Sequence, residues 1–386
     1  MVLGLSGDGA NRYCALSLAN SVSGPQTFSG VLSGLGSVRR EIATGTTIFS
    51  GPNSYSGGTI ISAGTLLANN TTGSGLGSGP VTVTGGTLGG NGAISGTISV
   101  GASGTLAPGS SSIGTLTLGA PPSLGGTLAM DIKPTDLTSD KLNLTSGAFT
   151  YGGTLALAVT AGALVGGEVF DLFDFTGTSS GSFTITTTPT LAAGLNWWQG
   201  DLAANGRLVL NRAPTAQNIS LGARGGVAAT LAIIGGKRPP SDADGNTLTV
   251  SGVSSPTANG ATVTTDGINV TYTALSAFTG TDTFTYTVSD GRGGSSAPAT
   301  VTVDVTSGGG TPPNVVSPPT YDSGSGTFRV TFAGIPNYTY TIQTATDPSG
   351  PWSFLKTATA GANGLFEVAD AQSPPPPARY YRTVYP

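Results

Sequence analysis

Short runs in which β-branched residues or leucine alternate with small or hydroxyl-bearing residues recur along the whole chain. Val81-Thr82-Val83 and Ile98-Ser99-Val100 are typical, and glycines separate one run from the next. β-Branched residues favour a pleated strand, and glycine suits the tight corners between strands. The pattern predicts many short strands and an all-β protein.

The tripeptide Gly-Thr-Leu marks many of these runs. Its starts are separated by 22, 18, 10, 12 and 27 residues, so the repeat is loose. Repeats of about twenty residues are too small to bury their own apolar face and must stack on their neighbours. We therefore expect a short right-handed β-solenoid over residues 1–120. The six copies are Gly64–Leu66, Gly86–Leu88, Gly104–Leu106, Gly114–Leu116, Gly126–Leu128 and Gly153–Leu155.

Charged and aromatic residues become frequent after residue 120, for example in Glu168–Phe175 and Leu195–Gln199. This change predicts a β-rich C-terminal cap of the solenoid over residues 121–212. Its expected core consists of Phe170, Leu172, Phe173, Phe175 and one of Trp197 and Trp198.

Two further modules follow, each with alternating strands and turn residues. Residues 213–306 predict an immunoglobulin-like β-sandwich, and residues 307–386 predict a Gly/Pro-rich linker followed by a second sandwich.

Composition excludes several classes of protein. Charged residues are only 9%, and the net charge of −4 comes without a basic cluster, so we expect no nucleic-acid partner. No apolar run is long enough to predict a transmembrane segment. The single Cys14 excludes an internal disulfide and is interpreted as a small core residue, with an intermolecular crosslink as the alternative.

The segment Asn53–Leu67, NSYSGGTIISAGTLL, resembles the autotransporter-associated β-strand repeat of bacterial surface proteins with β-helical passengers. The motifs Ser241–Val250 and Phe278–Gly291 resemble bacterial cadherin-like, immunoglobulin-fold modules, and the last module resembles a fibronectin type III domain. The resemblance implies an extracellular, cell-surface protein. No signal-peptide pattern is visible at the first residues, so this location rests on the resemblance.

Candidate catalytic groups are few. The chain has no histidine, which removes Ser-His-Asp triads and the usual zinc ligand sets. The cap carboxylates are interpreted as a solvated strand face; they are Asp131, Asp136, Asp140, Asp171 and Asp174. We therefore expect no enzyme, and a β-helix enzyme acting on polysaccharides is the weaker alternative.

Calcium is the only cofactor for which the sequence offers a motif. Asp242, Asp244 and Asn246 place oxygen side chains two residues apart around a glycine, as the first half of a calcium loop does. The terminal glutamate of an EF-hand is missing, since Val253 stands there. The cadherin-like resemblance adds Asp282 and Asp290 to the candidate set. An Asx-rich turn without metal is the alternative.

Trp197 and Trp198 are candidate glycan-stacking residues, because adjacent residues of a strand face opposite ways and one of them would be exposed. Core packing is the alternative for both. The whole sequence favours a structural protein that assembles into a homopolymer through its termini or solenoid ends. An adhesive stalk that binds glycans or other surface proteins is the alternative.

Overall fold

The computed structural model describes residues 2–6, 13–18, 24–109, 112–306, 314–316, 319–334, 338–372 and 376–384. The side chain of Cys14 lies outside this description, so its predicted role stays a prediction. The chain divides into two compact units. Unit 1 comprises residues 1–216, 240–249 and 288–297, and unit 2 comprises residues 217–239, 250–287 and 298–386.

Besides connecting loops, the described part of residues 1–212 contains short strands and one helical turn. In chain order they are β1 (Val2–Ser6), β2 (Tyr13–Ser17), β3 (Gln26–Phe28), β4 (Ser37–Arg40), β5 (Thr46–Phe49), β6 (Thr59–Ile61), β7 (Thr65–Ala68), β8 (Val81–Val83), β9 (Gly86–Gly90), β10 (Ala93–Ile94), β11 (Ile98–Val100), β12 (Gly104–Pro108), β13 (Thr115–Leu118), β14 (Ser123–Leu124), β15 (Thr127–Lys133), β16 (Thr138–Ser139), β17 (Lys141–Leu144), β18 (Thr150–Tyr151), β19 (Thr154–Val159), β20 (Val169–Asp171), β21 (Phe173–Asp174), β22 (Ser180–Gly181), β23 (Thr184–Thr188), β24 (Leu195–Trp198), α1 (Leu202–Asn205) and β25 (Arg207–Arg212).

Successive strands stack into three long sheets. The first has the order β1-β2-β4-β6-β8-β11-β14, the second β3-β5-β7-β9-β12-β15-β19-β23, and the third β10-β13-β17-β21. Strands pair in parallel along these orders, except for the antiparallel pair β1–β2. The all-β prediction is confirmed, and stacked parallel coils fit the predicted solenoid.

Five of the six Gly-Thr-Leu tripeptides form one ladder in the second sheet. Each leucine lies beside the next, in the order Leu66, Leu88, Leu106, Leu128 and Leu155, and all are buried. The sixth copy belongs to the third sheet, where Leu116 pairs with Leu142. The irregular spacings of 10 and 12 residues therefore add up to one coil of 22 residues.

The glycine of the tripeptide has a steric role. Gly86 has φ of +67°, and a Cβ there would lie 2.5 Å from the carbonyl oxygen of Gly64 on the preceding coil. Only glycine permits this left-handed corner and close approach.

Three of the residues predicted to form the core of residues 121–212 are fully buried, whereas the cap itself stays a prediction. Phe170, Leu172 and Phe173 are buried, and Phe175 and Trp197 pack against them while partly exposed. Strands β20, β25 and β24 form an antiparallel sheet in that order.

The predicted immunoglobulin-like module contains two sheets, in the orders β26-β32-β31-β28 and β27-β30-β29. Its strands are β26 (Ile219–Arg224), β27 (Ala228–Ala232), β28 (Thr249–Val253), β29 (Thr262–Thr265), β30 (Asn269–Thr273), β31 (Gly280–Ser289) and β32 (Ala299–Thr306).

The last module also has two sheets, one with β35 paired to β33, β34 and β38, the other with the order β37-β36-β39. Its core includes Phe332, Tyr340, Ile342 and Val368. The fibronectin type III assignment stays a prediction. The strands are β33 (Asn314–Val315), β34 (Thr320–Asp322), β35 (Thr327–Ala333), β36 (Thr339–Ala345), β37 (Ser353–Thr359), β38 (Leu365–Ala371) and β39 (Tyr380–Val384).

Candidate functional site

Most of the candidate site residues meet at one place in unit 1, around the side chain of Asn211. We call this group the Asn211 cluster; its members are Asn196, Asn211, Arg212, Asp242, Asp244, Asn246, Asp290 and Arg292. Strand β25 supplies Asn211 and Arg212, and Asn196 lies opposite Asn211 on β24. The remaining members belong to the loops within two segments, residues 240–249 and 288–297, which are also part of unit 1.

Asn211 connects both loops to the cap sheet. It is fully buried, and its Nδ2 donates to Asp290 Oδ2 at 2.6 Å and to Asn196 Oδ1 at 3.2 Å. Its Oδ1 accepts a hydrogen bond from Asn246 Nδ2 at 3.0 Å. A buried amide is costly unless its donors and acceptor are satisfied, and this one has partners on both sides.

Asp290 is held by its own loop as well. Its Oδ1 accepts from the backbone N–H groups of Arg292 at 2.7 Å and Gly294 at 2.9 Å. A Cβ on Gly294 would lie 2.1 Å from Asp290 Oδ2, so the loop requires glycine there. Asn196 Nδ2 also donates to the carbonyl of Arg292 at 2.8 Å.

Arg212 holds the other loop through Asp244. The Arg212 backbone N–H donates to Asp244 Oδ2 and its Nε to Asp244 Oδ1, each at 2.7 Å. Within the loop, Asp242 Oδ1 accepts from the backbone N–H groups of Asp244 and Asn246 at 2.9 and 3.0 Å. This is the Asx-rich turn that was the alternative to a metal site.

Two family models match the chain. The bacterial Ig domain matches residues 211–306, close to the predicted 213–306, and the passenger-associated-transport-repeat matches residues 44–68, which include Asn53–Leu67. These modules identify a bacterial surface protein with an immunoglobulin-like module. Among the described residues, no helix has the length and apolarity needed to cross a bilayer.

Solved structures with similar arrangements were also found. An endo-fucoidan hydrolase of glycoside hydrolase family 107 is 20% identical with a TM-score of 0.20, and the match covers 32% of this chain but only 16% of the hydrolase. A chimeric titin Z1Z2 is 15% identical (TM-score 0.25; 45% of this chain, 95% of titin Z1Z2), and the D00-D0 domain of intimin is 13% identical (TM-score 0.19; 45% and 92%). No curated protein matches the sequence.

The described side chains do not fit a calcium ion as they lie. Both oxygens of Asp244 face Arg212, and both oxygens of Asp290 accept hydrogen bonds from protein donors. Among the described residues, Asp242 Oδ2 is the only buried carboxylate oxygen without a hydrogen-bond partner. No group of three or more acidic, cysteine or histidine side chains in the described chain is arranged to hold a metal.

Asp282, the fifth calcium candidate, has other partners. It is 2% exposed, and Thr257 Oγ1, Asn259 Nδ2 and Tyr272 Oη donate to its carboxylate at 2.6, 2.9 and 2.8 Å. Burial would raise the pKa of Asp282, but these hydrogen bonds outweigh it and lower the pKa. Its arrangement is that of a carboxylate fixing strands of the sandwich.

Trp197 and Trp198 are both half-buried, and they have different neighbours. Trp197 packs near Phe170, with ring centroids 6.1 Å apart, and its Nε1 donates to Thr187 Oγ1 at 2.8 Å. Trp198 faces the Asn211 cluster, where the Arg292 guanidinium lies 5.8 Å from its ring centroid. Arg292 and Trp198 thus form a cation–π contact on the face that a glycan would need.

The cap carboxylates do not share one role. Asp171 and Asp174 both pair with Lys141, at 2.8 and 3.1 Å, and Asp136 pairs with Lys133. The interpretation of Asp140 as part of a solvated face was wrong, because Asp140 is 3% exposed. Its oxygens accept from the backbone N–H groups of Gly114 and Asp131, each at 2.9 Å, and burial raises the pKa of Asp140 to about 6.

Asn211, Arg212, Asn196 and Arg292 were not anticipated from sequence. The available indication was the pair Asn211-Arg212, polar and charged, directly after the buried run Leu208–Leu210 at the end of a strand. A polar pair at such a position marks a place where the next segment can be anchored.

Proposed function

We propose that this chain is a structural subunit of the bacterial surface that associates with copies of itself through strand edges. The observation that carries the proposal is the end of the second sheet at β3, whose outer edge has no paired strand in the described chain. An unpaired edge is a template for a strand of another molecule.

The available groups on β3 can be named. The carbonyl of Phe28 accepts from Ser50 N–H, on the β5 side. In a strand, neighbouring residues direct their backbone groups to opposite sides, so Thr27 directs its N–H and C=O away from β5. Ile48 and Thr47 lie beside Thr27 and Gln26, so the edge continues an ordered ladder.

The other end of the same sheet is partly covered, just before β23 begins. The side-chain amide of Gln199 pairs with the backbone of Phe183, next to β23, through both its oxygen and its nitrogen, at 2.9 and 3.0 Å. We therefore propose that the partner edge lies elsewhere, at β37, which ends the sheet β37-β36-β39 and exposes 64% of Phe354. A contact between two different edges is heterologous and generates filaments when it does not close.

Low surface charge supports the same proposal. The stretch from Phe49 to Leu118 contains no Asp, Glu, Lys or Arg, so few charges would lose hydration when copies pack together.

Negative-stain electron microscopy over a range of protein concentrations tests the proposal. We expect filaments from the unaltered chain and separate particles from Thr27→Pro, which lacks the outward N–H. The matched control Thr27→Val keeps the N–H and should form filaments. Separate particles from the unaltered chain at every concentration would reject self-assembly.

We also propose that the chain is not an enzyme. Histidine is absent, and the buried Asp140 uses both oxygens to hold backbone N–H groups. Incubation with acidic and neutral polysaccharides should leave their viscosity unchanged, whereas a fall in viscosity that Asp140→Asn abolishes would contradict this.

A further inference from the structure

Two adjoining cavities form a groove on the outer face of the second sheet in unit 1. The smaller, of about 170 Å³, is lined by Thr65, Thr87, Ala107, Ala129 and other residues, and the larger measures about 490 Å³. Ser112 and Asp131 line both, so the cavities join at these two residues. We call the combined feature the lateral groove.

The groove arises from a step in the sheet. Strand β12 ends at Pro108, and its last residue paired with β15 is Leu106, beside Leu128. Beyond Leu128, strand β15 continues to Lys133 with no residue paired to β12, and β16 folds back against its end. The step leaves the outward side chains of Ala129 and Asp131 at the floor of a recess.

The lining has a defined chemistry. The smaller cavity carries threonine hydroxyls, small apolar groups and the carboxylate of Asp140, and the carboxylate of Asp131 lies where the cavities join. Lys133 is already neutralised by Asp136, at 2.6 Å. The Asp131 carboxylate has no hydrogen-bond or ion-pair partner within the described chain. The groove therefore has an unbalanced negative charge at its centre.

The backbone of the groove floor is unavailable to a peptide strand. Strands β7, β9, β12, β15 and β19 are hydrogen-bonded in this order, and past its pairing with β12 the Asp131 N–H of β15 donates to Asp140 Oδ2 at 2.9 Å and the Asp131 carbonyl accepts from the Asp140 N–H at 2.8 Å. Recognition therefore falls to side chains. Thr65 and Thr87 are paired on the neighbouring strands β7 and β9, so their positions lie about 4.8 Å apart. Threonine hydroxyls at Thr65 and Thr87 match the hydroxyls of an extended sugar chain, and carboxylates match an ammonium group.

We propose that the lateral groove binds a linear glycan that carries free amino groups. Asp131 contacts an ammonium group, and Thr65 and Thr87 contact sugar hydroxyls. This site is separate from the strand edges of the proposed assembly. It assigns glycan binding to the solenoid face, where the sequence had suggested the tryptophan pair.

Isothermal titration calorimetry with a β-1,4-linked glucosamine hexamer tests the proposal. We expect saturable binding that weakens at least about tenfold in Asp131→Asn, the loss of one charge-assisted contact. Asp347→Asn, in an exposed turn of the last module, makes the same change in net charge and should bind as the unaltered chain does. Circular dichroism of both variants checks that the fold is kept.

Two further ligands separate the possible outcomes. The fully N-acetylated hexamer has no ammonium group and should bind at least about tenfold more weakly. Hexalysine carries ammonium groups without sugar hydroxyls and should not compete. The proposal is overturned by absence of glucosamine binding, by equal weakening in both variants, or by competition from hexalysine at equal concentration. Filament formation is measured separately by electron microscopy, so absence of glycan binding would not contradict the proposed self-assembly.

Discussion

Arg40 is a fully buried arginine in the solenoid, at a position where neighbouring coils place Leu18 and Ile61. Its guanidinium donates to the carbonyls of Leu18 at 2.9 Å and Gly45 at 2.8 Å, and also to the carbonyl of Thr44. No described group accepts from its Nε, and burial lowers the pKa of Arg40. Arg40 therefore holds a coil corner by satisfying carbonyls in place of an ion pair.

Replacement of Arg40 by alanine should be costly. Arg40→Ala leaves the buried carbonyl of Leu18 and the part-buried carbonyls of Thr44 and Gly45 without their donor and opens a cavity, so we expect the free energy of unfolding of unit 1 to fall by about 3 kcal/mol. The adjacent Arg39 is exposed and pairs only with Glu41, so Arg39→Ala should cost less than about 0.5 kcal/mol. Urea unfolding followed by circular dichroism measures both, and equal costs would contradict the role assigned to Arg40.

Asp140 makes stability depend on pH. Burial raises its pKa from the ordinary 3.8 to about 6, so the folded chain holds a proton there that the unfolded chain releases above about pH 4. The stability contribution of this group is therefore greatest below pH 4 and declines as pH rises to about 6. The decline amounts to at most about 3 kcal/mol.

Asp140→Asn should flatten this slope. The amide cannot ionise, and its Nδ2 would face a backbone N–H, so the variant is also less stable at pH 4. Unfolding free energies at pH 4, 5, 6 and 7 give the slope for both proteins. Asp347→Asn, on an exposed turn, serves as the control, and identical slopes in all three proteins would refute the assignment to Asp140.

At the scale of elements, sequence predicted the strands better than their sheets. The Gly-Thr-Leu pattern located strands correctly, but Gly114–Leu116 has the same local sequence as its relatives and lies in another sheet. Sheet membership depends on the length of the connecting segments and on what each coil stacks upon, which a tripeptide does not encode.

For the same reason, the sequence predicted that Asp140 is a surface carboxylate. Its burial depends on backbone N–H groups of Gly114 and Asp131, which lie on other segments.

The candidate site was anticipated in part, for a comparable reason. The loop residues Asp242, Asp244 and Asn246 belong to a recognisable local motif, and they do lie together. Their partners Asn211 and Arg212 lie about thirty residues earlier in the chain, where no local pattern marks them as partners. Whether the carboxylates of this loop bind a metal or an arginine therefore depends on residues that are distant in sequence, Asn211 and Arg212.

Gln199 covers one residue of the sheet edge, Phe183, just before β23 begins. Its amide supplies one donor and one acceptor to the backbone of Phe183, as a neighbouring strand would. Gln199→Ala should lower the melting temperature of unit 1 by a few degrees, since two backbone groups lose partners worth about 1 kcal/mol each.

The variant Gln199→Glu gives a matched comparison. It keeps the acceptor for Phe183 N–H but loses the donor to Phe183 C=O, so its melting temperature should fall between those of the unaltered chain and Gln199→Ala. Calorimetry measures all three. If Gln199→Ala has the same melting temperature as the unaltered chain, the amide does not stabilise this edge of the sheet.

At the scale of the whole molecule, the Asn211 cluster attaches two loops to the cap sheet with charges that the chain itself supplies. Arg212 binds the carboxylate oxygens of Asp244 that would otherwise be available to a metal cation. Arg292 lies over the ring of Trp198. Arginine suits this position because its planar fork donates several hydrogen bonds to one carboxylate. A loop held in this way has no need of calcium to neutralise its aspartates.

Calcium should therefore leave the melting temperature of the unaltered chain unchanged, whether calcium chloride or a chelator is added. In Arg212→Gln the carboxylate of Asp244 loses its paired charge, so we expect a loss of about 2 kcal/mol and partial recovery on adding calcium. Arg207 lies on the exposed side of the same strand, and Arg207→Gln should show neither effect. Differential scanning calorimetry of the three proteins, with calcium and with chelator, gives the answer. Stabilisation of the unaltered chain by calcium would mean that the ion displaces Arg212 from Asp244, and the sequence prediction of a calcium loop would then be the correct one.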